Sequence, residues 1–141
     1  MKELLVGFEI AKTLSEVGFS KPCCARYYRI DANKEEKIIR MFSLERPIDY
    51  NSTVIESKIL DKFYPFYSAP LWQQVIDWFR EDHKLEVSIK SWKNEGDGKI
   101  IYVYSVKELG KPSTFRFDVK SEDYYEIVEK AILKALELIK I

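Results

Sequence analysis

The chain has 141 residues, 46% of them apolar and 33% charged, which suits one globular domain over 1–141 and excludes a disordered or membrane-embedded polypeptide. Its 23 basic and 23 acidic residues cancel, and neither half about residue 70 carries a cationic run of the kind that neutralises phosphates, so nucleic acid is disfavoured as a partner. Leu4-Leu5-Val6 is too short for an export signal and no apolar stretch approaches the ~20 residues that span a bilayer, so the expectation is a cytoplasmic chain with no membrane contact.

In chain order, Ile10, Leu14 and Val17 recur at helical spacing over residues 8–17, and Gly18 stops the helix. Phe19 is expected to fold back onto it. The run Cys23–Ile30 alternates as a strand, Asp31–Glu36 is a polar turn, and Lys37–Leu44 returns as the second arm of a hairpin. Residues 45–67 contain Pro47, Asn51, Ser52, Ser57 and Pro65 among scattered hydrophobics, too long for a plain connection and suggesting a loop that is functional or holds irregular structure. Over Ser68–Glu81, Ser68 or Ala69 is the expected N-cap and Pro70 lies in the first turn. Trp72, Val75, Ile76 and Phe79 form the buried stripe there, widened by Leu71 and Trp78. Leu85–Lys90 alternates cleanly, Asn94–Gly98 is a turn, and Ile100–Val106, apolar on both faces, is the partner strand. Gly110-Lys111-Pro112 interrupts the chain before a third strand over Thr114–Val119. A long helix follows from Ser121 to about Lys140, with Val128, Ile132, Ala135, Leu136 and Ile139 facing the core. Short connections between strands imply antiparallel pairing. The fold class is therefore α+β, an antiparallel sheet of about five strands with three helices packed mainly on one face.

Little here carries chemistry. Cys23 and Cys24 are adjacent, without the two-residue spacing of a zinc knuckle or redox pair, and read as small buried apolar residues. One histidine, His83, leaves four-ligand Cys/His zinc and a hydrolytic triad short of ligands, and its place at a helix C-terminus reads as a complement to the dipole. Gly96-Asp97-Gly98 is a hairpin turn and no phosphate loop or nucleophile elbow is present, so no cofactor or metal is expected. Aromatic residues reach 14%, which a small core uses as filler or an open groove uses for binding. The candidate binding residues are Arg26 and Tyr28, which share a strand face, and Tyr64 and Tyr67 in the aromatic run Phe63–Tyr67.

Two segments, Leu14-Ser-Glu-Val-Gly-Phe-Ser-Lys-Pro-Cys23 and Ala69-Pro-Leu-Trp-Gln-Gln-Val-Ile-Asp-Trp-Phe-Arg-Glu81, give the chain its resemblance to small uncharacterised proteins encoded by phages and prophages of gut Bacteroidota. The C-terminal helix ending Leu138-Ile139 is similar to the ending of those proteins. The resemblance implies a mobile-element setting inside a bacterial host and assigns no activity or site residue. The leading expectation is a non-enzymatic accessory protein that binds a host or phage macromolecule, with a protein partner or a homodimer in view. One alternative is a small-ligand binder or sequestering protein for a nucleotide or sugar phosphate, using Arg26, Tyr28 and the 45–67 segment. Another is a carboxylate-based hydrolase, which needs two carboxylates facing one pocket.

Overall fold

The computed structural model describes residues 4–32, 35–42, 49, 51, 54–57, 62–113, 115 and 119–139, with the backbone alone for 28–32, 35–42, 54–57 and 62–66. The chain divides into two compact units, 1–71 and 72–141. The α+β expectation holds: among the described residues there are three helices and only antiparallel strand pairs. The strands do not gather into one sheet of about five. They split between a sheet in the first unit and a separate pair in the second.

The first unit opens with helix α1, Phe8–Glu16, whose Ile10, Ala11 and Leu14 are buried. Its end is set by Gly18, at φ +94°. That left-handed turn lets Phe19 N–H donate to Leu14 O at 2.9 Å and Gly18 N–H donate to Ser15 O at 3.3 Å, the paired closure that a glycine after a helix permits. Phe19 is thereby folded back and wholly buried, as its position suggested.

Strands β1 (Ala25–Ala32) and β2 (Glu35–Phe42) form the expected hairpin, shifted by two residues from the sequence-based bounds. The 45–67 segment is not a plain loop. It contains β3 (Val54–Ser57) and β4 (Lys62–Ser68), and the sheet order is β2-β1-β4-β3. The proline in β4 has a position with a physical reading. Ala69 N–H donates to Ala25 O, so odd-numbered residues of β4 aim their N–H at β1. Pro65 has none to offer, and pairing with β1 ends one residue away, at Tyr28↔Phe66.

Asn51 continues the outer ladder by other means. The Val54↔Pro65 register, extended back, sets residue 51 opposite residue 68. There the Asn51 side chain stands in for a strand: Ser68 N–H donates to its Oδ1 at 2.8 Å, while its Nδ2 donates to Phe19 O at 2.6 Å. One amide thus ties the β4 exit to the α1 exit.

The second unit starts with α2, Trp72–His83, later than the Ser68 or Ala69 cap expected from sequence. The backbone before it is already committed: Ala69 N–H to Ala25 O, Pro70 O to Val6 N–H, and Leu71 bridged to Leu5. Three residues spent on strand bonds cannot also turn into a helix. The buried positions of α2 are Val75, Trp78 and Phe79, with Trp72 and Ile76 half-buried, so the stripe is centred on Trp78 rather than Trp72.

Strands β5 (Leu85–Lys93) and β6 (Ile100–Glu108) pair over nine residues around a turn. In that turn Gly98 takes φ +73° and the Asn94 and Asp97 side chains accept from backbone amides. Val103, Tyr104 and Ser105 are buried in succession, so β6 is covered on both faces at its centre. The expected third strand over Thr114–Val119 falls largely outside the described residues; Phe115 is described, with the Lys90 ammonium 5.5 Å from its ring centroid.

Helix α3, Tyr124–Ile139, is capped by Asp123, whose Oδ1 accepts from Tyr125 and Glu126 N–H. Hydrogen bonds from Lys130 and Ser121 hold the Glu126 carboxyl below its usual range. Ile127, Val128, Ala131, Ile132, Ala135 and Leu136 are buried, and α2 and α3 pack on the strand pair and on each other. Full burial of Phe79 contributes about 2–3 kcal/mol, and Trp78 and the α3 aliphatics add comparable amounts.

Candidate functional site

The candidate residues lie in the β1–β4 half of the first sheet. Arg26 is half-buried and stands opposite Ser68; Tyr67 stands opposite Tyr27. The rings of Tyr27 and Tyr67 both meet Phe8 edge-on, at 5.9 and 5.7 Å, and Tyr27 Oη donates to Val6 O at 2.8 Å. Tyr67 therefore belongs to the α1 side of the sheet, and Arg26, one register step away, to the other. Tyr28 in β1 and Tyr64 in β4 have described backbones, paired with Phe66 and Ile55, and side chains outside the described residues. Arg26 and Tyr67 thus do not converge on one surface.

The two cysteines part company. Cys23 is fully buried and its thiol donates to Lys21 O at 3.3 Å. Burial pushes its pKa up to about 12, against a lowering by its hydrogen bond with Ser68, with Asp49 and Cys24 raising it further. It behaves as a small apolar residue at neutral pH. Cys24, expected to be buried beside it, is exposed. The strand begins only at Ala25, so Cys24 sits in the approach to the sheet rather than in its alternation.

The second unit holds a cleft of about 340 Å³ lined by His83, Lys84, Leu85, Glu108, Leu109, Leu138 and Ile139. Its shape follows from a one-residue connection. α2 ends at His83 and β5 begins at Leu85, so Lys84 alone must reverse the chain, and it does so at φ +56°. No other non-glycine among the described residues has a positive φ. Glycine is the usual residue at such a helix end, and a side chain there costs about 1–2 kcal/mol. Two hydrogen bonds hold the turn: Leu109 N–H donates to Lys84 O at 2.9 Å, and Lys84 Nζ donates to Glu81 O at 2.9 Å. The His83 ring lies edge-on to the buried Trp78 indole at 4.5 Å.

Across the cleft, β6 ends at Glu108 and turns through Leu109 and Gly110, whose φ is +87°. The last turn of α3 supplies Leu138 and Ile139. Leu109 and Leu138 are 42% and 41% exposed, so the rim sets open apolar side chains beside the polar His83, Lys84 and Glu108. Glu108 is ion-paired with Lys111 at 2.7 Å. As the single carboxylate of the lining, it does not form the pair that acid–base hydrolysis of a glycoside needs. An imidazole, an ammonium group and four aliphatic side chains suit a contact surface. His83 was legible as a helix end. The rim leucines were not, because nothing local brings residues 109 and 138 together, although a strong helix directly followed by a strong strand could have singled out Lys84.

Among the described residues, no group of three or more His, Cys, Asp or Glu stands together as a metal site, and no helix is long and apolar enough to cross a membrane. No protein-family model, curated protein or solved structure matches the chain.

Proposed function

We infer that the protein works by binding another macromolecule rather than by catalysis, and that the cleft between the α2–β5 turn and the last turn of α3 is the contact surface. The observation that carries this reading is the apolar rim. Leu109 and Leu138 stay substantially exposed and come together at a concave site, whereas Ile100, Tyr124 and Leu133, which are as exposed, do not line it. Apolar side chains gathered at a concavity mark contact sites more often than scattered ones do. The resemblance to phage and prophage proteins adds a setting, the cytoplasm of a bacterial host, where a protein of the host or the phage is the partner. The balanced charge keeps nucleic acid disfavoured.

The test is quantitative cross-linking in host cells with the wild-type chain and the Leu109→Ser/Leu138→Ser variant. Both changes fall on exposed positions, so folding is expected to survive. The reading requires a specific cross-linked partner whose yield falls by roughly tenfold in the variant, the scale of an interface anchor. A yield unchanged in the folded variant refutes the cleft as the contact.

A further inference from the structure

Among the described residues, the backbone of β5 is paired along one side only. Leu109 N–H donates to Lys84 O and Asn94 N–H donates to Lys99 O. The parity is therefore fixed: even-numbered residues of β5 turn their amide and carbonyl groups toward β6, and Leu85, Val87, Ile89, Ser91 and Lys93 turn theirs away. Among the described residues no strand pairs with that outer side. The ladder with β6 runs through all nine residues without a bulge, and β5 contains no proline, so two common devices for blunting a strand edge are missing.

We propose that this edge is an interface between two copies of the chain, with β5 pairing antiparallel to β5 of a second copy about a twofold axis at Ser88. The result is a continuous sheet in the order β6-β5-β5-β6. The register is selected by the side chains. Centred on Ser88, Glu86 of each copy stands opposite Lys90 of the other, and Val87 stands opposite Ile89. The odd-numbered pairs are then the hydrogen-bonded ones, which the free backbone groups require. The even-numbered pairs are the closely spaced ones, where opposite charges attract most. Centring on Ile89 would set Glu86 against Trp92 and Lys90 against Ser88. Centring on Val87 would set Lys90 against Lys84, and on Lys90 would set that lysine against itself. Only the Ser88 register satisfies both charges twice. Lys90 is exposed, with its ammonium 5.5 Å from the Phe115 ring centroid, and Glu86 holds Lys107 at 3.2 Å, so each side chain would add the partner copy's opposite charge to a contact it already makes. This interface lies on β5 alone and does not depend on the cleft reading.

The experiment is sedimentation velocity on the full chain and on two charge reversals, Glu86→Lys and Lys90→Glu, with circular dichroism to show that each is folded. The wild type is expected to be a dimer. Each reversal places like charges opposite each other at both sites and weakens dimerisation by roughly tenfold or more. An equimolar mixture of the two variants restores every pair as Lys against Glu, so it is expected to form a heterodimer. A wild type that stays monomeric at its highest soluble concentration overturns the proposal. So does a reversal that leaves the dimer intact, or a pair of folded monomeric variants that do not associate on mixing.

Discussion

Replacing Asn51 by alanine is the sharpest test of how the first unit is held. Asn51 is half-buried and makes two side-chain hydrogen bonds, to Phe19 O and from Ser68 N–H, across separations of 32 and 17 residues. Each bond contributes about 1 kcal/mol net, and the larger effect is what the truncation leaves behind. Ser68 is 1% exposed, and the parity of β4 turns its N–H away from β1, so Asn51→Ala removes the acceptor of a buried amide. Stranding a buried donor costs about 1–3 kcal/mol, which brings Asn51→Ala to about 2–4 kcal/mol of destabilisation. Urea unfolding followed by circular dichroism reads the total, and amide hydrogen exchange at Ser68 reads the cause. Asn51→Asp separates the two bonds: its carboxylate still accepts from Ser68 N–H but sets an oxygen against Phe19 O, so it is expected to destabilise the unit while Ser68 stays protected. If Asn51→Ala lies within about 0.5 kcal/mol of wild type and Ser68 exchange is unchanged, the side chain is not the tie described here.

Three further outcomes follow from single positions. Lys84→Gly relieves a left-handed side chain and should raise the unfolding free energy by about 1 kcal/mol, provided the lost bond to Glu81 O is worth less than the relief. Ser105 Oγ is buried with no hydrogen-bond partner among the described residues, so Ser105→Ala should be neutral or stabilising by up to about 1 kcal/mol in a thermal melt; a clear loss would reveal an acceptor. For the cysteines, Ellman's reagent should label Cys24 quickly and Cys23 only on unfolding. The Cys23 thiol keeps its proton in the folded chain up to about 12 but loses it near 9.0 when unfolded, so this contribution is complete below 9.0 and falls as pH rises toward 12. The slope should approach about 1.4 kcal/mol per pH unit and be absent from Cys23→Ala.

The Arg26 and Tyr67 candidates show how a one-residue step misleads. Arg26 belongs to the Arg26–Arg29 cluster and Tyr67 to the Phe63–Tyr67 run, and the small-ligand alternative draws on both. In a strand, neighbouring positions face opposite ways, and the β1–β4 register assigns Tyr67 to the ring cluster around Phe8 and Arg26 to the other face. The 45–67 segment misled for the opposite reason. Lys62-Phe-Tyr-Pro-Phe-Tyr-Ser68 is rich in strand-favouring aromatics, but Pro65 argues against a paired strand unless it is known that its missing N–H falls where one neighbour ends.

Local chemistry was enough to determine α1 with its Gly18 stop, the β1–β2 and β5–β6 hairpins, the body of α3 and the α+β class. Each of these depends on residues within a turn or a hairpin of one another, where periodicity and glycine placement decide the backbone. Only tertiary structure decided that the described strands form two sheets, that residues 69–71 make backbone bonds to residues 25, 6 and 5 before α2 can begin, and that Leu109 and Leu138 line one cleft. Those outcomes turn on which distant backbone groups satisfy one another's hydrogen bonds and which apolar side chains find cover, and neither is encoded at any fixed spacing along the chain.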